Sequence, residues 1–116
     1  MKKHFVVVLR LATLLLVFLL VASREIAARE LTPAEKAIIV ANLGLLDPES
    51  ARFKWMPFDP HKIHYCASVN AKNAYGGYVG YQLFAIEPVK DRNGRIVDAH
   101  SPLIGLVGAA VGFCDF

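Results

Sequence analysis

Six side chains between Asn70 and Tyr81 form the densest recognition chemistry in the sequence: Asn70, Lys72, Asn73, Tyr75, Tyr78 and Tyr81. Tyrosine offers broad amphipathic contact at low entropic cost, and Asn and Lys add directed hydrogen bonds. Gly76, Gly77 and Gly80 lie among them, so a ligand backbone or sugar ring could approach the main chain closely. Types and spacing suit a protein, peptide or glycan partner. A structural role is the competing reading, with Asn side chains satisfying the turn and the rings covering the glycines. The segment is not a phosphate loop, because it lacks the G-x-x-x-x-G-K-[ST] pattern and leads into a strand-like run.

Three histidines and a cysteine offer other chemistry. Asp59, His61 and His64, with Asp98 and His100 elsewhere, raise the question of a metal site. Pro60 and the alternation after Ile63 place His61 and His64 on a loop entering a strand, which points them to opposite faces; no metal or other cofactor is expected. Cys66 with His100 could imitate a thiol hydrolase, but no helix N-terminus follows Cys66 to lower its pKa. The expectation is therefore a non-enzymatic binding or inhibitor-like module, with no catalytic residues. A small hydrolase using His61, His64 or His100 and a purely structural envelope protein are the alternatives.

The elements that must position these residues follow from local patterns. Thr32, Pro33 and Glu35 read as cap, first helical residue and capping-box partner. Ala34, Ala37, Ile38, Ala41 and Leu45 recur at helical spacing and predict the buried stripe, with Glu35, Lys36 and Asn42 off it. Gly44 is the expected stop. Asp47–Ser50 predicts a single turn, and Lys54-Trp55-Met56 a short strand with Trp55 and Phe58 at the core rim.

From Lys62 the period becomes two. Ile63, Tyr65, Ala67, Val69 and Ala71 share one face, and His64, Cys66, Ser68 and Asn70 the other. A second strand is expected from Tyr78 to Ile86, closed by Pro88. Asp91-Arg92-Asn93-Gly94 predicts a hairpin turn into a third strand, Ile96 to Ala99, ended by Pro102. The apolar tail from Leu103 to Cys114 reads equally as buried strand or small-residue helix. The fold class is α+β: one amphipathic helix on a small antiparallel sheet of three or four strands.

Lys2 and Lys3 precede an apolar run whose uninterrupted part, Leu11 to Ala22, has twelve residues. That length suits a secretory signal and is short for a membrane span. Cleavage after Ser23 is expected, leaving residues 24–116 as one domain; Ala27-Ala28 is a poorer site. The alternative is a retained anchor, the only case in which a membrane would be a partner. Either way the domain is exported, to the periplasm or outside the cell.

Of 13 basic and 10 acidic residues, the leader 1–23 holds Lys2, Lys3 and Arg10 and no acid. The mature chain is thus formally neutral, which argues against a nucleic-acid footprint. It also predicts binding that depends weakly on salt. Two cysteines in an exported chain predict a Cys66–Cys114 disulfide, about 4 kcal/mol in the chain-entropy treatment.

Three segments resemble a group of small exported proteobacterial proteins of uncharacterised function. They are Thr32 to Glu35, Asp47 to Phe53, and the Tyr-Cys-x-x-Val-Asn-Ala-Lys-Asn-x-Tyr-Gly-Gly-Tyr-x-Gly-Tyr signature from Tyr65 to Tyr81. The resemblance spans about half of the mature chain. It implies an exported module with this hairpin as its signature, and no activity.

Overall fold

The computed structural model describes residues 8–15, 27–105 and 112–114. Residues 8–15 are helical and exposed. Among the described residues no helix is long and apolar enough to cross a membrane. The expected cleavage point at 21–23 lies outside the described residues, as do residues 106–111 of the tail.

Helix α1 (Pro33–Asn42) is followed by a 3-10 turn (Pro48–Ser50) and strands β1 (Arg52–Lys54), β2 (Tyr65–Asn70), β3 (Gln82–Lys90) and β4 (Ile96–Ile104). The strands form one antiparallel meander in the order β1-β2-β3-β4. This is the α+β architecture expected, with four strands and one disulfide.

Helix α1 starts as its local grammar dictates. The Thr32 hydroxyl accepts from the Glu35 N–H, and the Glu35 carboxylate accepts from the Thr32 N–H. Pro33 fills the first position, and Gly44 (φ +72°) lets the chain leave in the left-handed region.

The buried stripe is not the alanine stripe. Ala34, Ala37 and Ala41 face solvent, while Leu31, Glu35, Ile39 and Leu43 are buried. Alanines have little surface to bury, so the four-residue repeat of larger side chains sets the packing face, with Glu35 inside it. Its carboxylate accepts from both Arg29 guanidinium nitrogens, each at 2.7 Å, and from the Ile96 N–H at 2.8 Å. Those bonds make an acid at a core position tolerable. They also join the chain before α1 to the first residue of β4.

The core between α1 and the sheet comprises Ile39, Phe58, Tyr65, Val69, Phe84, Ile86 and Ile96, each nearly inaccessible to solvent. Period two in β2 is realised: Tyr65, Ala67 and Val69 are buried, with Cys66, Ser68 and Asn70 half-buried on the other face. Trp55 is at the rim as expected, stacked on Phe53 at 4.5 Å, whereas Phe58 is fully buried. Ile63 is exposed, because β2 begins only at Tyr65.

Four strand boundaries differ from expectation. β3 begins at Gln82, not Tyr78, because Gly80 takes φ +94° and its N–H is bound by the Asn70 side chain. Pro88 lies inside β3, opposite Ala99. The pairing of β2 with β3 stops at Tyr65 and Ile86, so on that side the missing N–H interrupts no ladder. Pro102 lies within β4, an edge strand where proline is tolerated. The first short strand is Arg52–Lys54 rather than 54–56.

Cys66 and Cys114 are bonded with Cα atoms 6.0 Å apart, which holds residues 112–114 on the outer face of β2. Ala85, the register partner of Cys66, is buried. One end of the outer face is thus covered. The other end, near β1, carries Arg52 and Lys54 with the Tyr78 and Tyr81 rings against them.

Candidate functional site

The Asn70–Tyr81 segment is a hydrogen-bonded turn whose tyrosine rings are exposed to different degrees. Asn73 Oδ1 accepts from the N–H groups of Tyr75 (3.0 Å) and Gly77 (3.1 Å). The Asn73 N–H donates to Gly77 O, and the Gly76 N–H, at φ +79°, donates to Asn73 O. Asn70 Oδ1 accepts from the Gly80 N–H, closing the base of the segment. The two asparagine oxygens therefore shape the backbone, as Asn side chains do in turns.

The tyrosines divide by role. The Tyr78 hydroxyl donates to Ser50 O at 2.8 Å, tying the turn to the residues just before β1. Tyr81 lies against Lys54, whose Nζ stands 4.1 Å from the ring centroid. Tyr75 is 97% exposed at the tip. Lys72 forms an isolated bridge with Tyr78, and its Nζ lies 5.4 Å from the Tyr78 ring.

Two residues outside the segment complete the surface. Arg52 Cζ is 4.3 Å from the Tyr78 centroid, on the ring that Lys72 also approaches. Arg52 and Lys54 are alternate residues of β1 and share one face, opposite Asn70 and Ser68 of β2. The ion pairs among the described residues involve none of Arg52, Lys54 and Lys72. Contacts of this kind contribute about 0.5–1 kcal/mol each at exposed sites, enough to hold a cation in place but not to bury it. Three positive charges, Arg52, Lys54 and Lys72, are thus gathered around Tyr78 and Tyr81. For anionic ligands of this surface the local charge predicts a salt dependence that the formal net charge of the domain does not.

Sequence reasoning placed Arg52 and Lys54 in their segments without a site role. The signal was the alternation Arg52-Phe53-Lys54-Trp55, a charged–aromatic pattern that separates a cationic face from an aromatic one.

The histidines are distributed between two environments. His61 is exposed, and its N–H donates to the Asp59 carboxylate. His64 Nε2 and His100 Nδ1 each lie 3.3 Å from Glu87, on different carboxylate oxygens, in a row across β3. His64 also packs on Phe113, 4.6 Å between centroids. Beside it, a cavity of about 480 Å³ opens between the 56–65 loop and the disulfide-held segment, lined by His61, His64, Tyr65 and Phe113.

His100 Nδ1 is also 3.1 Å from the Ser101 hydroxyl. One nitrogen faces both serine and carboxylate, so the ring cannot pass a proton from one nitrogen to the other between them, as a nucleophile–base–carboxylate relay requires. Cys66 is oxidised and carries no thiolate. Among the described residues, no group of three or more His, Cys, Asp or Glu is arranged to hold a metal ion.

The most perturbed acid serves the fold. Arg29, with the N–H groups of Ile96 and Thr32, holds the Glu35 carboxyl down to about 2, against the opposing effect of burial. Burial raises the Tyr65 hydroxyl above its ordinary value, partly offset by its bond to the Met56 backbone. Both lie beneath the sheet rather than on the Tyr75 surface.

Comparison with family models, curated proteins and solved structures yields no match. The disulfide suits an oxidising, non-cytoplasmic compartment.

Proposed function

We propose that this protein is an exported, non-enzymatic binding module, periplasmic or secreted, that presents the Asn70–Tyr81 turn to a partner in the cell envelope. The observation that carries the proposal is that the turn backbone is fixed by Asn70 and Asn73 while the Tyr75 ring stands 97% exposed. A large ring held in water on an ordered turn stabilises nothing in its own domain. Pre-organised aromatic surface of this kind lowers the entropic cost of binding. The resemblance of Tyr65–Tyr81 to small exported proteins supports the export part of this reading alone.

The test measures thermal stability and capture of envelope partners on the same variants of the full chain. Tyr75→Ala and Lys72→Ala should keep the wild-type melting temperature and lose captured partner. Asn73→Ala should lower the melting temperature, since two backbone donors lose their acceptor. Full capture by both Tyr75→Ala and Lys72→Ala would make the turn scaffold and move the site elsewhere.

A further inference from the structure

We infer that the exposed edge of β1 is a docking strand for an extended acidic peptide, one carrying acidic residues two apart with an apolar residue between them. The inference rests on the binding-module reading above and names the chemistry of the partner.

The first observation is the open edge. β1 ends the sheet and pairs only with β2, leaving its outer edge without a strand partner among the described residues. The backbone hydrogen bonds outside the regular elements likewise include none from Arg52, Phe53 or Lys54. In an antiparallel pair alternate residues bond the neighbour and the others face outward, so the outward N–H and C=O groups of β1 are a short template for strand addition.

The second is charge. Arg52 and Lys54 project from the same face at a spacing of two residues and form no ion pair among the described residues. A strand added beside β1 shares its period, so alternate residues of the newcomer stand next to Arg52 and Lys54. Carboxylates at those two positions complement the cations. Lys72, whose Nζ lies 5.4 Å from the Tyr78 ring, extends the positive field toward the turn.

The third is the intervening position. Phe53 faces the other side of β1, half-buried and stacked on Trp55 at 4.5 Å. Both rings pack on Phe84, with Lys36 Nζ 5.5 Å from the Trp55 centroid, and their remaining exposed area is a narrow apolar strip at the sheet edge for one aliphatic side chain of the incoming strand.

Charged residues on an edge strand have another use, which is to prevent pairing with other chains. Here both cations lie over tyrosine rings, Arg52 on Tyr78 and Lys54 on Tyr81, which biases their charges toward the outer face beside the turn. An anionic glycan would need the cations but neither the backbone edge nor the apolar strip. The three features together favour a peptide strand.

The experiment titrates the oxidised full chain with a capped synthetic peptide centred on Glu-Val-Glu, following the single tryptophan, Trp55, by fluorescence. Amide exchange at Arg52, Phe53 and Lys54 is recorded alongside. Saturable binding is expected, with slowed exchange at those of these amides that do not already bond β2 and about tenfold or more weakening between about 50 mM and 500 mM salt. A Lys-Val-Lys peptide and an acidic peptide N-methylated to block backbone pairing should each bind at least about tenfold more weakly. So should the Arg52→Ser, Lys54→Ser double variant, whose folding is checked by its melting temperature.

Failure of the Glu-Val-Glu peptide to bind overturns the inference and leaves the edge cations as protection against pairing. Equal binding of the N-methylated peptide, or binding only of an acidic oligosaccharide, also overturns it. If Lys72→Ala and Tyr75→Ala abolish partner capture while the peptide fails, the binding module stands and only its partner class is wrong. If the peptide docks on β1 while those two variants capture partner normally, the turn proposal fails and the edge is the site.

Discussion

Replacing Glu35 by Gln removes the charge at the point where α1, the chain before it and β4 meet. The carboxylate is fully buried and accepts from both guanidinium nitrogens of Arg29, from the Ile96 N–H and from the Thr32 N–H. Its pKa is lowered from 4.5 to about 2, chiefly by Arg29. A folded-state pKa below the unfolded value means that the folded state favours the ionised form. The resulting stability is fully present above about pH 5 and is lost as pH falls from the unfolded value through the folded one. The difference is worth about 3 kcal/mol at neutral pH.

Glutamine keeps one carbonyl acceptor but sets an amide donor against Arg29, so breaking the pair should cost about 3–5 kcal/mol at pH 7. Urea unfolding followed at Trp55 would measure both quantities. Wild type should lose about 3 kcal/mol more than Glu35→Gln between about pH 5 and pH 2. Parallel pH profiles for the two proteins would refute the argument, since the acid dependence would then come from other carboxylates. Arg29→Ala should flatten the same window, because it removes the largest cause of the shift.

Three further outcomes follow from particular contacts. The buried Tyr65 hydroxyl donates to Met56 O at 2.7 Å and accepts from the Met56 N–H at 2.9 Å, so Tyr65→Phe should cost about 1–3 kcal/mol in chemical unfolding. Thiol labelling of the denatured, unreduced protein should find no free cysteine, and the Cys66→Ser, Cys114→Ser pair should lose up to about 4 kcal/mol. Gly94 takes φ +77° in the β3–β4 turn, where its N–H donates to Asp91 O, so Gly94→Ala should lower stability by about 1 kcal/mol without altering capture at the opposite end of the sheet.

What was legible in the sequence was local. Thr32, Pro33 and Glu35 specify the helix start within four residues, and the alternation from Tyr65 to Asn70 specifies which face of β2 is buried. The Asn93-Gly94 turn pairs the strands on either side of it. What was not legible depends on closure over long separations. Glu35 reads as a surface residue until Arg29 and the Ile96 N–H, 61 positions away, are brought to its carboxylate. Arg52 and Lys54 read as ordinary charges until the turn folds back and places Tyr78 and Tyr81 against them. The bond from the Tyr78 hydroxyl to Ser50 O, 28 residues away, is part of what brings the turn and β1 together. A side chain assigned to recognition in the sequence thus serves partly as a brace, and the cations that it helps to position extend the recognition surface beyond the turn. That division explains why the six residues from Asn70 to Tyr81 should not respond alike to mutation. Loss of Asn73 or Tyr78 should weaken the fold locally and binding with it, whereas loss of Tyr75 should remove contact area while leaving the scaffold as it was.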